Sequence, residues 1–406
     1  MGKMKDSGIE WIGNIPQSWK SERLRFLCTI KTGDMDTQDN NPDGKYPFYV
    51  RSPIVEYSDK YTFDNEAVLM AGDGVGAGKV FHYVNGKYGC HQRVYSMSGF
   101  TSVTGKYLYY YLLENFYKKI EESNAKSTVD SVRLPMLKDF TVVYPNISKQ
   151  KEIIDYLDFK CSQIDSIIAK QEQIVEKLKE YKFSIISEAV SRGIKRGVEL
   201  KESKIEFCDK IPTHWKVLQN RYLFILREEK NYKALEDVQL LSLYTDLGVF
   251  PHGEQEERGN KAVTAEGYKI VYKDDIVVNI ILAWMGAIGR SAYDGVTSPA
   301  YDIYHPCDKV CSKFYHYLFR TKAFSAECYK YGRGIMAMRW RTYSSEFKSI
   351  RVPVPPYEEQ IEIADYLDEK CSYIDKTIND RQVAINKLQE YKKSLIYEVV
   401  TGKKEV

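Results

Sequence analysis

The stretch QKEIIDYLDFKCSQIDSII at residues 150–168 returns as QIEIADYLDEKCSYIDKTI at residues 360–378, 210 positions later. The similarity continues beyond both stretches, since KLKEYK at 177–182 returns as KLQEYK at 387–392. Neither copy contains proline or glycine, and apolar side chains recur at intervals of three, four and seven residues. This spacing is typical of a coiled-coil helix. The chain therefore carries two copies of one long helix, and the period is too long for a solenoid.

Each predicted helix has an apolar seam interrupted at one position, by Gln171 in the first copy and by Arg381 in the second. Polar residues in a seam can fix the register of two helices at some cost in stability. About 40 residues at about 1.5 Å each give a rod on the order of 60 Å long. The seam residues are Leu157, Cys161, Ile164, Ile168, Val175, Leu178 and Ile185, and then Leu367, Cys371, Ile374, Ile378, Ile385, Leu388 and Leu395.

A second repeat opens each half, because SGIEWIGNIPQSWK from Ser7 returns as SKIEFCDKIPTHWK from Ser203. Between the repeats lie two diverged segments, each with short strand-like runs, one amphipathic helix (106–121 and 313–329) and a closing strand (140–144 and 350–354). The sequence therefore predicts a mixed α/β (α+β) chain with a pseudo-two-fold internal repeat. Its predicted parts are a first domain at 1–145, a long helix at 146–196, a second domain at 197–354 and a second long helix at 355–406.

Composition is that of a water-soluble globular protein, with 43% hydrophobic and 28% charged residues in 406. No run of about 18 uncharged apolar residues is present, and the first residues lack the apolar core of a secretory signal. We therefore expect a cytoplasmic protein that does not bind membranes. In that compartment the eight cysteines are expected to be reduced thiols. The net charge of +3 is too small to indicate a nucleic-acid partner by itself.

Three motifs suggest chemistry but lack the residues that it needs. The cluster His305, Cys307, Cys311 and His316 has residue types that suit zinc, but its spacing matches no usual zinc knuckle, so we expect no metal. The glycine-rich run at 72–79 lacks the spacing of a phosphate loop and precedes a strand, so we expect a flexible turn that a polyanion can approach. The Pro-Pro-Tyr sequence at 355–357 lacks the amide of a methyltransferase loop. No catalytic site emerges, and we expect neither an enzyme nor a bound cofactor.

Basic residues interleaved with aromatic ones occur near the end of each diverged segment. The second segment has Arg333, Arg339, Trp340 and Arg341 in a glycine-containing loop, and the first has the weaker stretch with Lys126 and Arg133. A guanidinium can bind guanine O6 and N7 together or grip a phosphate. An ordinary exposed loop is the alternative interpretation. The pattern favours DNA contact.

Taken together, these features resemble the specificity subunit of type I restriction–modification systems, over essentially the whole chain. The twin Ile-Pro-x-x-Trp openings and the two repeated helices carry the resemblance. The second half adds YKIVYKDDIVVN at 268–279 and LAWMG at 282–286, and the first adds YVRS at 49–52 and HQRVY at 91–95. The second opening departs from the first where FCDK at 207–210 replaces WIGN at 11–14.

The resemblance implies a non-catalytic subunit with two target-recognition domains, each recognising one half of a split, asymmetric site in double-stranded DNA. It implies that the long helices pack antiparallel and bind two modification subunits, which carry S-adenosylmethionine and methylate adenine. Restriction subunits complete the complex. The DNA-binding candidates are Arg51, Lys79, Arg93, Lys126, Arg133, Trp284, Arg290, Arg333, Arg339, Trp340 and Arg341, and the partner-binding candidates are Lys177, Glu180, Tyr181, Lys387, Glu390 and Tyr391.

Two other functions remain open at this point. A coiled-coil adaptor with protein-binding ends would have the same helices but no DNA specificity. A self-sufficient methyltransferase would need a cofactor loop and an Asn/Asp-Pro-Pro loop, and the sequence has neither. A salt series in a DNA-binding experiment separates the adaptor from the DNA-binding protein, because contacts with phosphates weaken steeply as salt rises.

Overall fold

The computed structural model describes residues 3–123, 131–245, 247–253, 264–334 and 340–406. The chain folds into two compact units. The first unit comprises Met1–Glu172 together with Gln382–Val406, and the second comprises Gln173–Arg381. Each unit therefore contains one diverged segment and parts of both long helices.

A six-stranded sheet forms the centre of the first unit, in the order β4-β9-β7-β8-β5-β6. Its pairs are antiparallel except β5 with β8. The last five residues of the central strand β7 are buried on both faces, which fits their apolar sequence AVLMA. The elements are β1 (Met4–Asp6), β2 (Asn14–Pro16), β3 (Lys20–Arg23), β4 (Thr29–Thr32), β5 (Tyr46–Tyr49), β6 (Glu56–Ser58), β7 (Phe63–Ala71), β8 (Phe81–Cys90), β9 (Val94–Ser98), α1 (Gly105–Ser123), α2 (Leu134–Lys138), β10 (Thr141–Tyr144) and the first part of α3 (Ile147–Arg192).

The second unit has a smaller central sheet of four antiparallel strands, in the order β14-β21-β18-β19. Its central strand β18 has the sequence IVVN and is fully buried. The elements are β11 (Leu200–Ile205), β12 (Cys208–Pro212), β13 (Lys216–Gln219), β14 (Phe224–Arg227), β15 (Leu241–Tyr244), β16 (Gly248–Pro251), β17 (Lys269–Val271), β18 (Ile276–Asn279), β19 (Ile288–Arg290), β20 (Gly295–Thr297), β21 (Tyr301–Pro306), α4 (Ser312–Phe319), α5 (Lys322–Tyr331), α6 (Ser344–Ser349), β22 (Arg351–Val354) and the first part of α7 (Tyr357–Val400).

The two units have different central sheets, but the elements around the sheets are arranged alike. A hairpin opens each unit, and the closing strand returns to pair with the strand after the hairpin, as β10 with β3 and β22 with β13. The tryptophan of the repeated opening is buried in both, at Trp19 and Trp215. Each packs beside a glycine that ends a long helix with positive φ, Gly402 for Trp19 and Gly193 for Trp215. The repeated Ile-Pro-x-x-Trp motif therefore anchors a helix end.

The two long helices run antiparallel within each unit. In the first unit the seam residues Leu157 and Ile164 share a core with Leu395, and Lys392 Nζ lies 2.7 Å from the Asp165 carboxylate. The second unit contains the equivalent ion pair, in which Lys182 Nζ lies 2.7 Å from the carboxylate of Asp375, the repeat equivalent of Asp165. All fourteen predicted seam residues are buried or half-buried. The mixed α/β fold and the paired long helices predicted from the sequence are therefore confirmed.

One predicted helix differs from the structure. The sequence predicts a single helix at 313–329, whereas the chain forms α4 and α5 with a break at Arg320 and Thr321. The Thr321 hydroxyl accepts a hydrogen bond from the backbone N–H of Phe324 and caps α5, which stabilises a new helix start at this position. In the part of the chain that the structure describes, none of the helices has the uninterrupted apolar stretch that crossing a lipid bilayer requires.

Candidate nucleic-acid interface

The glycine-rich loop of the first unit joins β7 to β8 and is tightly folded. Backbone hydrogen bonds link Ala71 with Val80 and with Gly78 across its base. A Cβ on Gly76 would lie 2.6 Å from the carbonyl oxygen of Arg51, and Gly78 has a φ of 61° and lies against Ile120. The glycines therefore permit close internal packing, and backbone hydrogen bonds connect the two ends of the loop.

Asp73 in this loop forms ion pairs with two of the predicted DNA-binding residues, Arg51 and Arg93. Its carboxylate lies 3.0 Å from Arg51 Nη1 and 2.5 Å from Arg93 Nη1. Partial burial raises the pKa of Asp73, but the hydrogen bonds from Arg93 and Arg51 outweigh it and hold the pKa below its usual value. The side chains of both arginines remain about half exposed. A guanidinium has five N–H donors, so each arginine can contact a second acceptor while it binds Asp73.

The segment at 131–133 lies directly beside this loop. The backbone N–H of Val132 donates to the carbonyl oxygen of Gly72 at 2.8 Å, and the Tyr95 hydroxyl donates to the carbonyl oxygen of Val132 at 3.0 Å. These bonds hold the segment that carries the exposed Arg133 beside the glycine-rich loop. Lys79 points elsewhere, with Nζ 4.5 Å from the centre of the Tyr117 ring on α1. Lys126 lies outside the described residues.

The loop between β18 and β19 in the second unit is braced by aromatic rings. Trp284 donates from Nε1 to the carbonyl oxygen of Ile281, and its ring centre lies 5.8 Å from that of Tyr329. Trp340 also stacks on Tyr329, with ring centres 4.9 Å apart, and donates from Nε1 to the Tyr329 carbonyl oxygen. Gly332 is required here, since a Cβ would collide with the Trp340 ring. The two predicted tryptophans thus come together, and both make packing contacts within the protein.

Arg333 and Arg341 pair through their backbones in an isolated antiparallel β-bridge. Their backbone groups exchange hydrogen bonds of 2.9 and 3.0 Å. Arg333 Nε lies 3.0 Å from Glu346, while 77% of the Arg333 side chain is exposed. Arg341 is also exposed. Arg339 lies outside the described residues.

Within each unit, the loop that follows the central strand is hydrogen-bonded to the basic segment. In the second unit the backbone N–H of Thr342 donates to the carbonyl oxygen of Ile280 at 2.9 Å, as Val132 does to Gly72 in the first. Val132 and Thr342 are 210 positions apart, which is also the offset of the long helices. Each unit therefore presents a loop from the end of its central strand together with an exposed basic segment.

Arg290 is separated from this arginine group. Its Nε lies 2.5 Å from Asp274, its side chain is only 19% exposed, and its backbone N–H donates to His316 Nδ1. Burial lowers the pKa of His316 to about 3, with help from the nearby Arg320 and Arg290, so the ring is neutral and accepts this bond. Arg290 thus joins an internal hydrogen-bond network instead of the exposed basic segment.

The predicted partner-binding residues lie on exposed helix faces. Tyr181 and Tyr391 occupy equivalent positions and are 58% and 53% exposed. The residues around them are also exposed in both copies, namely Lys177, Glu180, Lys387 and Glu390. None of the six is needed for the apolar seam, because each points away from it.

Sequence reasoning missed the acidic residues that organise the basic ones. Asp73 and Glu346 were not identified, because each reaches its arginine partners through the fold and not through sequence spacing. Val75 was also missed. It lies in the middle of the glycine-rich loop and is an apolar side chain that is 93% exposed. Among the described residues, no three His, Cys, Asp or Glu side chains are placed to hold a metal ion.

The chain is similar in sequence to known proteins. Residues 16–180 match the family model of the type I restriction modification DNA specificity domain. The chain is also 25% identical to the EcoDI specificity subunit of Escherichia coli, over 93% of this chain and 87% of that protein. In sequence, the chain is thus similar to the specificity subunits of type I restriction enzymes.

A further relative and two solved structures extend the similarity along nearly the whole chain. The MjaVIII specificity subunit of Methanocaldococcus jannaschii is 23% identical over 96% of this chain and 93% of its own length. A chain from a structure of complex assembly in the type I R-M system superposes with a TM-score of 0.69 at 11% identity, covering 95% of this chain and 98% of that one. The HsdS subunit from Thermoanaerobacter tengcongensis gives a TM-score of 0.53 at 12% identity, covering 96% and 98%. These two solved structures share the fold of this chain.

Proposed function

We propose that this chain is the DNA-recognition subunit of a type I restriction–modification complex and performs no chemistry itself. One observation carries the proposal most directly. Each of two homologous units presents a loop and an exposed basic segment joined by an equivalent backbone hydrogen bond, Val132 to Gly72 and Thr342 to Ile280. Similarity to specificity subunits of type I restriction enzymes supports the same function. A coiled-coil adaptor would have no reason to keep this pair of basic sites.

Each unit recognises one half of a bipartite site. The first offers Arg51, Arg93 and Arg133, and the second offers Arg333 and Arg341 on a different loop. Arginine side chains can bind guanine in the major groove or grip phosphates, and different sets select different bases. Two units with different side chains therefore recognise an asymmetric site.

The long helices bind two modification subunits. Exposed residues at equivalent positions, such as Tyr181 and Tyr391, give two copies of one docking surface, and a repeated surface suits two copies of one partner. S-adenosylmethionine belongs to those partners, which transfer the methyl group to adenine. Restriction subunits add translocation and cleavage, and the complex acts on DNA in the cytoplasm.

Two measurements on the purified chain test this function. Binding to duplex DNA in a gel-shift salt series should weaken steeply between 50 and 200 mM salt, because phosphate contacts release counterions. The chain alone, with labelled S-adenosylmethionine and DNA, should incorporate no label, whereas addition of the modification subunits should produce labelled DNA. Salt-independent binding, or methyl transfer by the isolated chain, would contradict the proposal.

A further inference from the structure

A lysine and a tyrosine on α1 hold one aspartate of the long helix α3. Lys106 Nζ lies 2.5 Å from one carboxylate oxygen of Asp158, and the Tyr110 hydroxyl donates to the other oxygen at 2.7 Å. Lys106 and Tyr110 are one helical turn apart, so both side chains leave the same face of α1. We call this group the first clasp. It joins the recognition domain to the helix through a single carboxylate with both oxygens occupied.

The second unit contains the same clasp. Lys313 Nζ and the Tyr317 hydroxyl on α4 each lie 2.6 Å from the Asp368 carboxylate on α7, one at each oxygen. The lysine and tyrosine are again four residues apart, and Asp368 is the repeat equivalent of Asp158. Both aspartates are paired with side chains of the neighbouring domain helix. The two units thus share this three-residue contact, and in the second unit Lys313 Nζ also lies 3.3 Å from Asp365.

A glutamine adds a second attachment point in each unit. Gln150 on α3 accepts from the backbone N–H of Thr104 and donates to the carbonyl oxygens of Ser102 and Pro145, all within 3.0 Å. Its repeat equivalent, Gln360 on α7, accepts from the backbone N–H of Cys311 at 2.8 Å. The first turn of the domain helix is therefore attached at two places, which fixes its direction on the long helix.

The domain helix of the first clasp also contacts the strands that carry the recognition loop. Lys106 Nζ lies 5.8 Å from the centre of the Tyr83 ring on β8, and the Tyr83 hydroxyl donates to Glu66 on β7. The glycine-rich loop lies between these two strands. The contacts therefore form a continuous path from Asp158 to the strands that hold the loop.

The second clasp has an equivalent path through different residues. Ser312 and His316 on α4 bond to Asp274 and to the backbone of Arg290, which ends β19. β19 follows the loop that carries Trp284. In both units, one domain helix thus contacts the long helix on one side and the frame of the recognition loop on the other.

The partial exposure of the clasp side chains indicates that the clasps fix the angle between two helices more than they stabilise the fold. The side chains of Lys106, Asp158, Lys313 and Asp368 are each between one third and one half exposed. Ion pairs with this much solvent contact stabilise a fold only slightly. A carboxylate held at both oxygens, however, permits only a narrow range of angles between the two helices that it joins.

We infer that the two clasps are positioning elements that fix the angle of each recognition domain on its long helix, and thereby determine which spacer length between the two half-sites the complex accepts. The inference rests on the proposed function, because it concerns the geometry of a bipartite site. The clasp residues do not contact DNA bases. Their loss changes spacer preference and leaves the recognised bases the same.

The test uses the complete complex with its modification subunits. Methylation rates are measured on a set of duplexes with identical half-sites and spacers one base pair shorter, equal or one base pair longer than the best one. In Asp158→Asn and Asp368→Asn the rate on the neighbouring spacers, relative to the best, should rise about two- to fivefold, the range that a half-exposed ion pair can supply. Tyr110→Phe, which removes only a hydroxyl, should shift the ratio in the same direction. Asp155→Asn, an exposed carboxylate one turn earlier on the same helix, is the matched control and should leave the ratio unchanged.

The possible results of this test distinguish the spacer inference from a merely structural role of the clasps and from failure of the proposed function. Equal loss of methylation on all spacers would assign the clasps a merely structural role and overturn the inference, as would an unchanged ratio in all three clasp variants. If an aspartate variant fails to assemble, the Tyr110→Phe ratio alone decides. Failure of the wild-type complex to methylate any bipartite duplex would instead contradict the proposed function, so the two failures are distinguishable.

Discussion

Asp73 shows how one acidic residue can organise a basic site. It holds Arg51 and Arg93 together, and both arginines keep exposed donors. An isolated arginine on a surface loop would lose side-chain entropy on meeting DNA, and Asp73 removes part of that cost in advance. Glu346 has the same relation to Arg333 in the second unit. We therefore expect the acidic residues to contribute to specificity by fixing the direction of the guanidiniums.

Replacement of Asp73 by asparagine should reduce specificity without weakening general DNA binding. The substitution removes one negative charge from the interface, so affinity for random duplex DNA should stay equal or increase. The arginines lose their anchor, and affinity for the cognate site should fall by about 1 kcal/mol, roughly fivefold. Kd values for cognate and random duplexes at one salt concentration measure both effects. A specificity ratio equal to that of the wild type would show that Asp73 does not position the arginines.

Replacement of Arg333 or Arg341 by alanine should affect only one half-site. If the arginine binds a base, we expect a cost of about 1–3 kcal/mol and relaxed selection at one position. If it grips a phosphate, binding to all sequences should weaken alike and the salt slope should fall by about one. The motif methylated in cells that carry each variant with its partner subunits distinguishes these results. The same substitution at Arg339 extends the series to the part of the loop outside the described residues. A change confined to the half-site of the first unit would show that the halves are assigned in reverse.

Glu114 gives the first unit a pH-dependent stability. Burial raises the pKa of Glu114 to about 7, although Lys393, Lys118 and Lys392 act in the opposite direction. The folded protein therefore keeps this proton up to a higher pH than the unfolded chain, and stability falls as pH rises from about 4.5 to about 7. Above that window the ionised, buried carboxylate destabilises the fold.

Glu114→Gln should therefore raise the melting temperature at pH 8 by about 2–4 °C and leave it nearly unchanged at pH 5, where Glu114 is protonated in the wild type. Thermal unfolding of both proteins at the two pH values measures the difference. Glu180→Gln, at an exposed helix position, is the control and should show no pH-dependent gain. An equal gain at both pH values would contradict the assigned cause.

At the scale of elements, the long helices were predictable and the recognition sites were only partly so. The seam residues Leu157 and Leu367 repeat with a period that belongs to one helix, so local sequence determines them. Asp73 meets Arg51 and Arg93 only because three strands bring distant segments together, which no local pattern encodes. Trp284 and Arg290 lie six residues apart in sequence, yet the fold directs one to the aromatic group and the other to Asp274. The break at Thr321 depends on a single capping hydroxyl within an otherwise helical pattern.

Proline in the middle of either long helix should disrupt partner binding. Ile168 and Ile378 are half-buried seam residues, and proline at either position removes a backbone hydrogen bond and costs about 3 kcal/mol or more. We expect less copurification of modification subunits with Ile168→Pro or Ile378→Pro. Ile147→Pro is the matched control, because the first position of a helix tolerates proline. Normal stoichiometry with both central proline variants would show that the helices are not the assembly surface.

For the whole molecule, the duplication explains how one chain can recognise an asymmetric site. Repeated elements, such as the helices and the Trp19 and Trp215 anchors, are alike in both units. The elements between them differ, with a six-stranded sheet in one unit and a four-stranded sheet in the other. Equal frames suit equal partner subunits, whereas unequal sheets and loops present different side chains to DNA. The fold thus separates assembly from sequence recognition.

Methylation mapping of the DNA in cells that express this chain with its modification subunits tests the central claim most directly. The account predicts methylated adenines within one asymmetric motif, made of two specified half-sites separated by a fixed number of unspecified base pairs. Omission of this chain should abolish the motif. An uninterrupted motif, or methylation at the same motif without this chain, would contradict the claim that its two units recognise the two halves.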